Sequence, residues 1–241
     1  MSSQGYLHWL TAAVLLSFCL DWLAVGLNWH RTKLITKPLA MTMVIVWTLA
    51  ASGWHLSWMV GVLLLAQFLG LLGDIFLLLP NSFFMHGMMA FLLGHVFYDV
   101  LVLLIFARSG LHSLTAGRVV GGVLLGGGVW ASAMVLFYLV FKPLSHPGAI
   151  TKKFWTAIQV YGWILSSTGG FAVFLVTVLG GASRMFYLLP VGTFLFWVSD
   201  SLLAYNKFLN PIRRGQLWVR ISYHLAQLCL AAGFLSVTLS F

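Results

Sequence analysis

Residues 57–79, SWMVGVLLLAQFLGLLGDIFLLL, run for 23 positions with Asp74 as their only charged side chain. A helix needs roughly 20 apolar residues to cross the hydrocarbon of a bilayer. Buried strands are far shorter, so this stretch reads as a transmembrane helix. Seven further runs of the same kind lie at about 7–27, 36–53, 84–107, 119–141, 155–180, 186–205 and 219–240. The expected fold is therefore all-α: a polytopic membrane protein, one domain over 1–241, built as a bundle of eight transmembrane helices. Short loops use up the rest of the chain, and no soluble domain is left over.

Composition supports this reading. Of 241 residues 61% are hydrophobic and 7% charged, against roughly 25% charged in a soluble domain. Too little charge is present to cover a globular surface, and too much apolar surface for a disordered chain. The net charge of +9 would suggest nucleic acid in a soluble protein. Here the cations sit in the breaks between apolar runs, so membrane topology explains them and no nucleic-acid partner is expected. Cys19 and Cys229 lie inside apolar runs, which excludes a disulfide framework or a metal-ligand spacing. The residues before the first run, MSSQGYLHW, have no basic segment, so that run is expected to be a retained helix.

Lys and Arg set the expected orientation. Ten of them fall at the loops joining odd to even helices and only Arg108, Arg118 and Arg184 at the others. The positive-inside rule then puts both termini outside, in an inner or plasma membrane. Pro38 is expected in the first turn of the second helix, where its missing N–H costs nothing.

All four acidic residues, Asp21, Asp74, Asp99 and Asp200, lie within spans. Ionisable groups there are costly, so each is a functional candidate. Asp21, Asp74 and Asp200 are expected six or seven residues, roughly 10 Å, from the cytoplasmic ends of their helices. Lys37, Asn206 and Lys207 lie near the same depth, with Tyr223 and Gln227 spaced i, i+4 on the last helix. His95 and Tyr98 form an i, i+3 pair nearer the midplane. The expected site is a polar pocket in the cytoplasmic half of the bundle. Asp21 has an ordinary structural reading, as a bridge to Lys37 or Arg31. The run Gly121–Gly122 and Gly126–Gly127–Gly128 reads as close helix packing.

Several blocks together resemble the lysoplasmalogenase, or YhhN-like, family of integral membrane proteins. They are Asp21-Trp22-Leu23-Ala24-Val25, Thr36-Lys37-Pro38-Leu39, Leu71-Leu72-Gly73-Asp74 through Pro80, Gly94-His95-Val96-Phe97-Tyr98, Ser199-Asp200-Ser201 and Tyr223-His224-Leu225-Ala226-Gln227. The family usually carries Tyr-Tyr where this chain has Tyr223-His224, and residues 108–185 show little resemblance. The resemblance implies a hydrolase of the vinyl ether bond of lysoplasmalogens, taking a lysophospholipid from the bilayer and water, with no cofactor. The products would be a fatty aldehyde and a glycerophospho-choline or -ethanolamine. Hydrolysis of a vinyl ether protonates its β-carbon and leaves an oxocarbenium ion for water to attack. Glycosidases meet the same charge problem with two carboxyl groups. Asp74 and Asp200 are the expected catalytic pair. Asp21, Lys37, His95, Tyr98, Asn206, Lys207, Tyr223 and Gln227 are the expected binding or supporting residues, with Lys37 and Lys207 at the rim suited to a lipid phosphate. Two other readings use the same residues. One is a lysolipid flippase or proton-coupled carrier with the acids as relays. The other is a metal-dependent hydrolase with His95, His224, Asp74 and Asp200 as ligands, for which no HExxH spacing is present.

Overall fold

The computed structural model describes residues 3–110, 114–146, 150–180 and 183–239. Among them eight helices are long and apolar enough to cross a membrane: α1 (Ser3–Gly26), α2 (Thr32–Ala51), α3 (Trp58–Leu78), α4 (Phe84–Arg108), α5 (Ala116–Phe141), α6 (Lys152–Leu179), α7 (Leu188–Phe208) and α8 (Gly215–Thr238). Lipid cannot satisfy backbone N–H and C=O groups, so every span closes its hydrogen bonds internally as a helix. Where a helix end reaches the interface, side chains take over. Ser57 caps α3 by accepting from the Val60 N–H, and Thr151 caps α6 by accepting from Phe154.

Consecutive helices pair as α1–α2, α3–α4, α5–α6 and α7–α8. α8 also touches α1, α2 and α3, and it is the most buried span; α5 packs chiefly on α6 and is the least buried. The polar side chains of α8 are thus surrounded by protein, whereas the outer face of α5 is left to lipid. The glycine-run expectation resolves into particular contacts. A Cβ on Gly126 would stand 2.5 Å from the Gly170 carbonyl oxygen, so α5 and α6 approach there only because neither residue has a side chain. Gly127 and Gly128 face open space.

Three helix ends that bear on the site differ from expectation. α2 starts at Thr32, so Pro38 lies inside the helix, beyond the first turn. Its carbonyl accepts from the Thr42 hydroxyl at 2.8 Å. Lys33 falls before the expected run and Lys37 in its first turn, but the backbone is already helical from Thr32. Lys37 is carried into the bundle as a result. α7 runs on to Phe208, and α8 begins at Gly215. Asn206, Lys207 and Arg220 are therefore helical residues at one end of the bundle. Pro147 lies outside the described residues. Trp29, Trp54, Trp58 and Trp218 are exposed at or beside helix ends, where an aromatic belt would sit.

Candidate functional site

Asp74 and Asp200 stand four and eight residues before the ends of their helices, Leu78 and Phe208, and Asp21 five before Gly26. The structure brings the first two together and leaves the third out. A cavity of about 190 Å³ opens among α2, α3, α4, α7 and α8. Its walls carry Lys37, Asp74, Asp200, Asn206, Lys207 and Tyr223, all anticipated, together with Arg220, Ser199 and Gln216. The apolar part of the wall comes from Leu77, Phe84, Phe91, Leu203 and Val219.

Asp74 is 1% exposed, and Lys37 Nζ lies 2.9 Å from its Oδ1. Neither carboxylate oxygen has a partner in good hydrogen-bond geometry, so the contact is an ion pair with off-line donors. Lys37 was expected at the rim. It is instead 8% exposed and committed to Asp74, because α2 carries it inward. The Tyr223 ring stands edge-on to Phe91 and Phe196, at 5.7 and 5.4 Å between centroids. Its hydroxyl reaches the neighbourhood of Asp74 without making a hydrogen bond. Gly70 makes room for this arrangement. A Cβ there would stand 3.0 Å from Gln227 Nε2 and 3.2 Å from the Tyr223 hydroxyl.

Asp200 is 5% exposed and takes a short hydrogen bond at Oδ2 from the Tyr161 hydroxyl of α6. His95 Nε2 lies 3.9 Å from the same oxygen, too far for a hydrogen bond, while His95 Nδ1 is 3.2 Å from Thr168 Oγ1. His95 is thus behind Asp200 and off the cavity wall. Tyr98 donates to Gln227 Oε1 at 2.8 Å, which ties α4 to α8 and leaves Gln227 Nε2 without a partner. Asn206 Oδ1 accepts from the Ile212 N–H at 2.8 Å and fixes the α7–α8 connection beside the cavity. The Lys207 ammonium lies 5.0 Å from the centre of the Phe84 ring, a cation–π distance.

Asp21 belongs to a different cluster. Arg220 Nη1 and Thr36 Oγ1 each donate to its Oδ1 at 2.6 Å, and His224 Nε2 lies 3.9 Å from Oδ2. Its partner is therefore Arg220 of α8, and neither Lys37 nor Arg31. His224 belongs to this second cluster, stacked on Phe18 at 4.7 Å with Nδ1 accepting from the Trp22 N–H. Tyr223 points to the cavity and His224 away from it, as neighbours on a helix must. The four residues of the metal reading are split by this arrangement, and the described residues hold no group of three or more His, Cys, Asp or Glu able to bind a metal ion. Asp99 accepts from Ser167 at 2.6 Å, off the cavity.

Tyr161 and Arg220 were not picked out as site residues from sequence. Tyr161 lies in the region of little resemblance. Arg220 stands one turn before the Tyr223–Gln227 pair in the sequence, which points toward the cluster, but as a charge at a helix edge it is explained by topology alone.

Comparison with known proteins places these residues in context. The profile described as the YhhN family matches residues 32–234, which includes every cavity residue named above. The lysoplasmalogenase TMEM86B of Mus musculus is 25% identical over 226 residues, covering 92% of this chain and 84% of its own. No solved structure matches the chain significantly.

Proposed function

The chain belongs to the YhhN family, and on that premise we propose that it is a membrane hydrolase cleaving the vinyl ether bond of a lysoplasmalogen. The observation that carries the reading is one cavity lined by two buried carboxyl groups, Asp74 of α3 and Asp200 of α7, with an apolar wall beside them. The similarity to a protein named lysoplasmalogenase supports the substrate class.

In this mechanism Asp200 donates a proton to the β-carbon of the vinyl ether. The Tyr161 hydroxyl occupies Oδ2, so the donated proton sits on the other oxygen. Protonation moves positive charge onto the ether carbon and oxygen. Asp74, held as the charged partner of Lys37, is the carboxylate that steadies this oxocarbenium ion and orients water toward it. Water adds to the carbon and gives its proton to the Asp200 carboxylate, which restores the acid and leaves a hemiacetal. The hemiacetal collapses to the fatty aldehyde and the free glycerol hydroxyl. Leu77, Phe84, Phe91 and Leu203 offer the alkenyl chain an apolar path. Tyr223, with an unpartnered hydroxyl next to Asp74, is the positioned donor or acceptor for the attacking water. With the orientation expected from the charged loops, the cavity opens on the cytoplasmic leaflet, whose lipids it would draw on.

One assay tests this. Purified protein in detergent, with no gradient present, is offered 1-alkenyl and 1-acyl lysolipids of equal chain length and the products are identified. Aldehyde from the alkenyl lipid alone is the expected result. Fatty acid from the acyl lipid would make it an esterase, and intact lipid moved across vesicles without cleavage would favour a carrier.

A further inference from the structure

We propose that Arg220, with Lys207 on the same wall, forms an anion subsite that grips the phosphodiester of the lysolipid. The proposal rests on the hydrolase reading above and adds the part of the substrate that the two aspartates do not explain.

Arg220 rises from the second turn of α8, is 7% exposed, and lines the cavity. A buried guanidinium needs a reason. Asp21, fully buried and absent from the cavity wall, holds it through one nitrogen, Nη1. Asp21 is held in turn. Its Oδ1 also accepts from Thr36, and its Oδ2 faces His224 Nε2. The Trp22 N–H donates to His224 Nδ1, so the neutral imidazole carries its proton on Nε2, toward Asp21. Three helices thus cooperate to fix one side of one guanidinium. Guanidinium has five N–H donors, of which Asp21 takes one, and the planar fork suits a phosphate better than an ammonium does.

The cations of the cavity are not equivalent. Lys37 spends its single ammonium on Asp74 at 2.9 Å, whereas Arg220 gives Asp21 one N–H donor of its fork, and Lys207 stands on the same wall. Gln216 lines the same wall one residue after α8 begins, at a helix N-terminus with no side-chain cap. Its backbone adds the positive end of a helix dipole to the side-chain charges. Asp21 is then a positioning residue and not a reacting one, which explains its burial away from the cavity.

The test compares two substrates of one chain length: 1-alkenyl-glycerophosphocholine, and 1-alkenyl-glycerol, which lacks the phosphodiester. The readout is the ratio of their kcat/KM values, which does not depend on how much of a variant is folded. Arg220→Lys keeps the charge and loses the fork. The double variant Asp21→Asn with Arg220→Gln leaves no unpaired charge. Both should lower the ratio by about ten-fold or more, through KM for the phosphate-bearing lipid, and Lys207→Gln should lower it about three-fold. Arg31→Gln, on an exposed loop, is the control. A ratio within about two-fold of the parent in both Arg220 variants overturns the subsite while leaving the hydrolase reading intact. Inorganic phosphate should not inhibit cleavage of the phosphate-free substrate. If it does, the site is one for free phosphate and the lipid assignment is wrong. If the parent protein cleaves neither substrate, the hydrolase reading fails. The subsite is then decided by equilibrium binding of acyl-lysophosphocholine against monoacylglycerol to the same variants, where an unchanged preference refutes it.

Discussion

Replacing Lys37 by Met tests the ion pair on which the proposed site depends. Methionine keeps the length and apolar stem of lysine but removes the ammonium 2.9 Å from Asp74. The carboxylate is 1% exposed, and among the described residues no other cation lies within salt-bridge distance of it. Breaking a buried pair by removing one partner costs about 3–5 kcal/mol, because an uncompensated charge is left behind. For a chain of this size each kcal/mol moves Tm by about 2–4 °C, so the variant should melt roughly 6–20 °C lower. The 11 tryptophans allow intrinsic fluorescence to follow unfolding in detergent. The second arm is Lys37→Met with Asp74→Asn, which removes both charges. It should recover most of the loss, giving a coupling of at least about 2 kcal/mol across the double-mutant cycle. Both variants should lose turnover, since the first strips Asp74 of the cation that holds it in place and the second removes the carboxylate itself. If Lys37→Met melts within about 2 °C of the parent, or the double variant is no more stable than the single, the pair does not carry the load assigned to it.

Asp74→Asn and Asp200→Asn should each lower turnover by at least about 100-fold in the aldehyde-release assay. The double variant should be little worse than the worse single, because the two carboxyl groups act as a unit; near-normal turnover in both singles would make them packing groups. Gly126→Val should lower stability by about 1–3 kcal/mol by overpacking, seen as a lower Tm, because its Cβ would meet the Gly170 backbone at 2.5 Å. Single cysteines at 55 and 210, in a background with Cys19 and Cys229 replaced by Ser, should react with an impermeant maleimide from outside and from the cytoplasm respectively. The reverse pattern would invert the topology and move the cavity to the other leaflet.

Much of the site was visible in the chain because so few residues are polar. With four acids and all of them inside spans, Asp74 and Asp200 stand out without any contact map, and both line the cavity. Lys37 was found but misplaced. A lysine in the first turn of the expected run reads as a rim residue, and only the helical backbone from Thr32 shows that it enters the bundle. Tyr161 was missed because a lone Tyr in an apolar run has no pattern to distinguish a hydrogen-bond donor from a packed ring.

The eight spans, and with them the fold class, are properties of the sequence alone. Hydrocarbon sets a length and forbids unpaired backbone, so each crossing is decided locally by about 20 neighbouring residues. Partners were decided only by tertiary structure. Asp21 meets Arg220 across 199 positions, and Asp200 meets Tyr161 across 39. The reason lies in the solvent. In water the apolar stripe of a helix marks the side that faces the core. In lipid both the outer face and the packed face are apolar, so hydropathy leaves the rotation of each helix open. Packing against neighbours chooses it, and that choice put Arg220 in the cavity wall and Asp21 behind it.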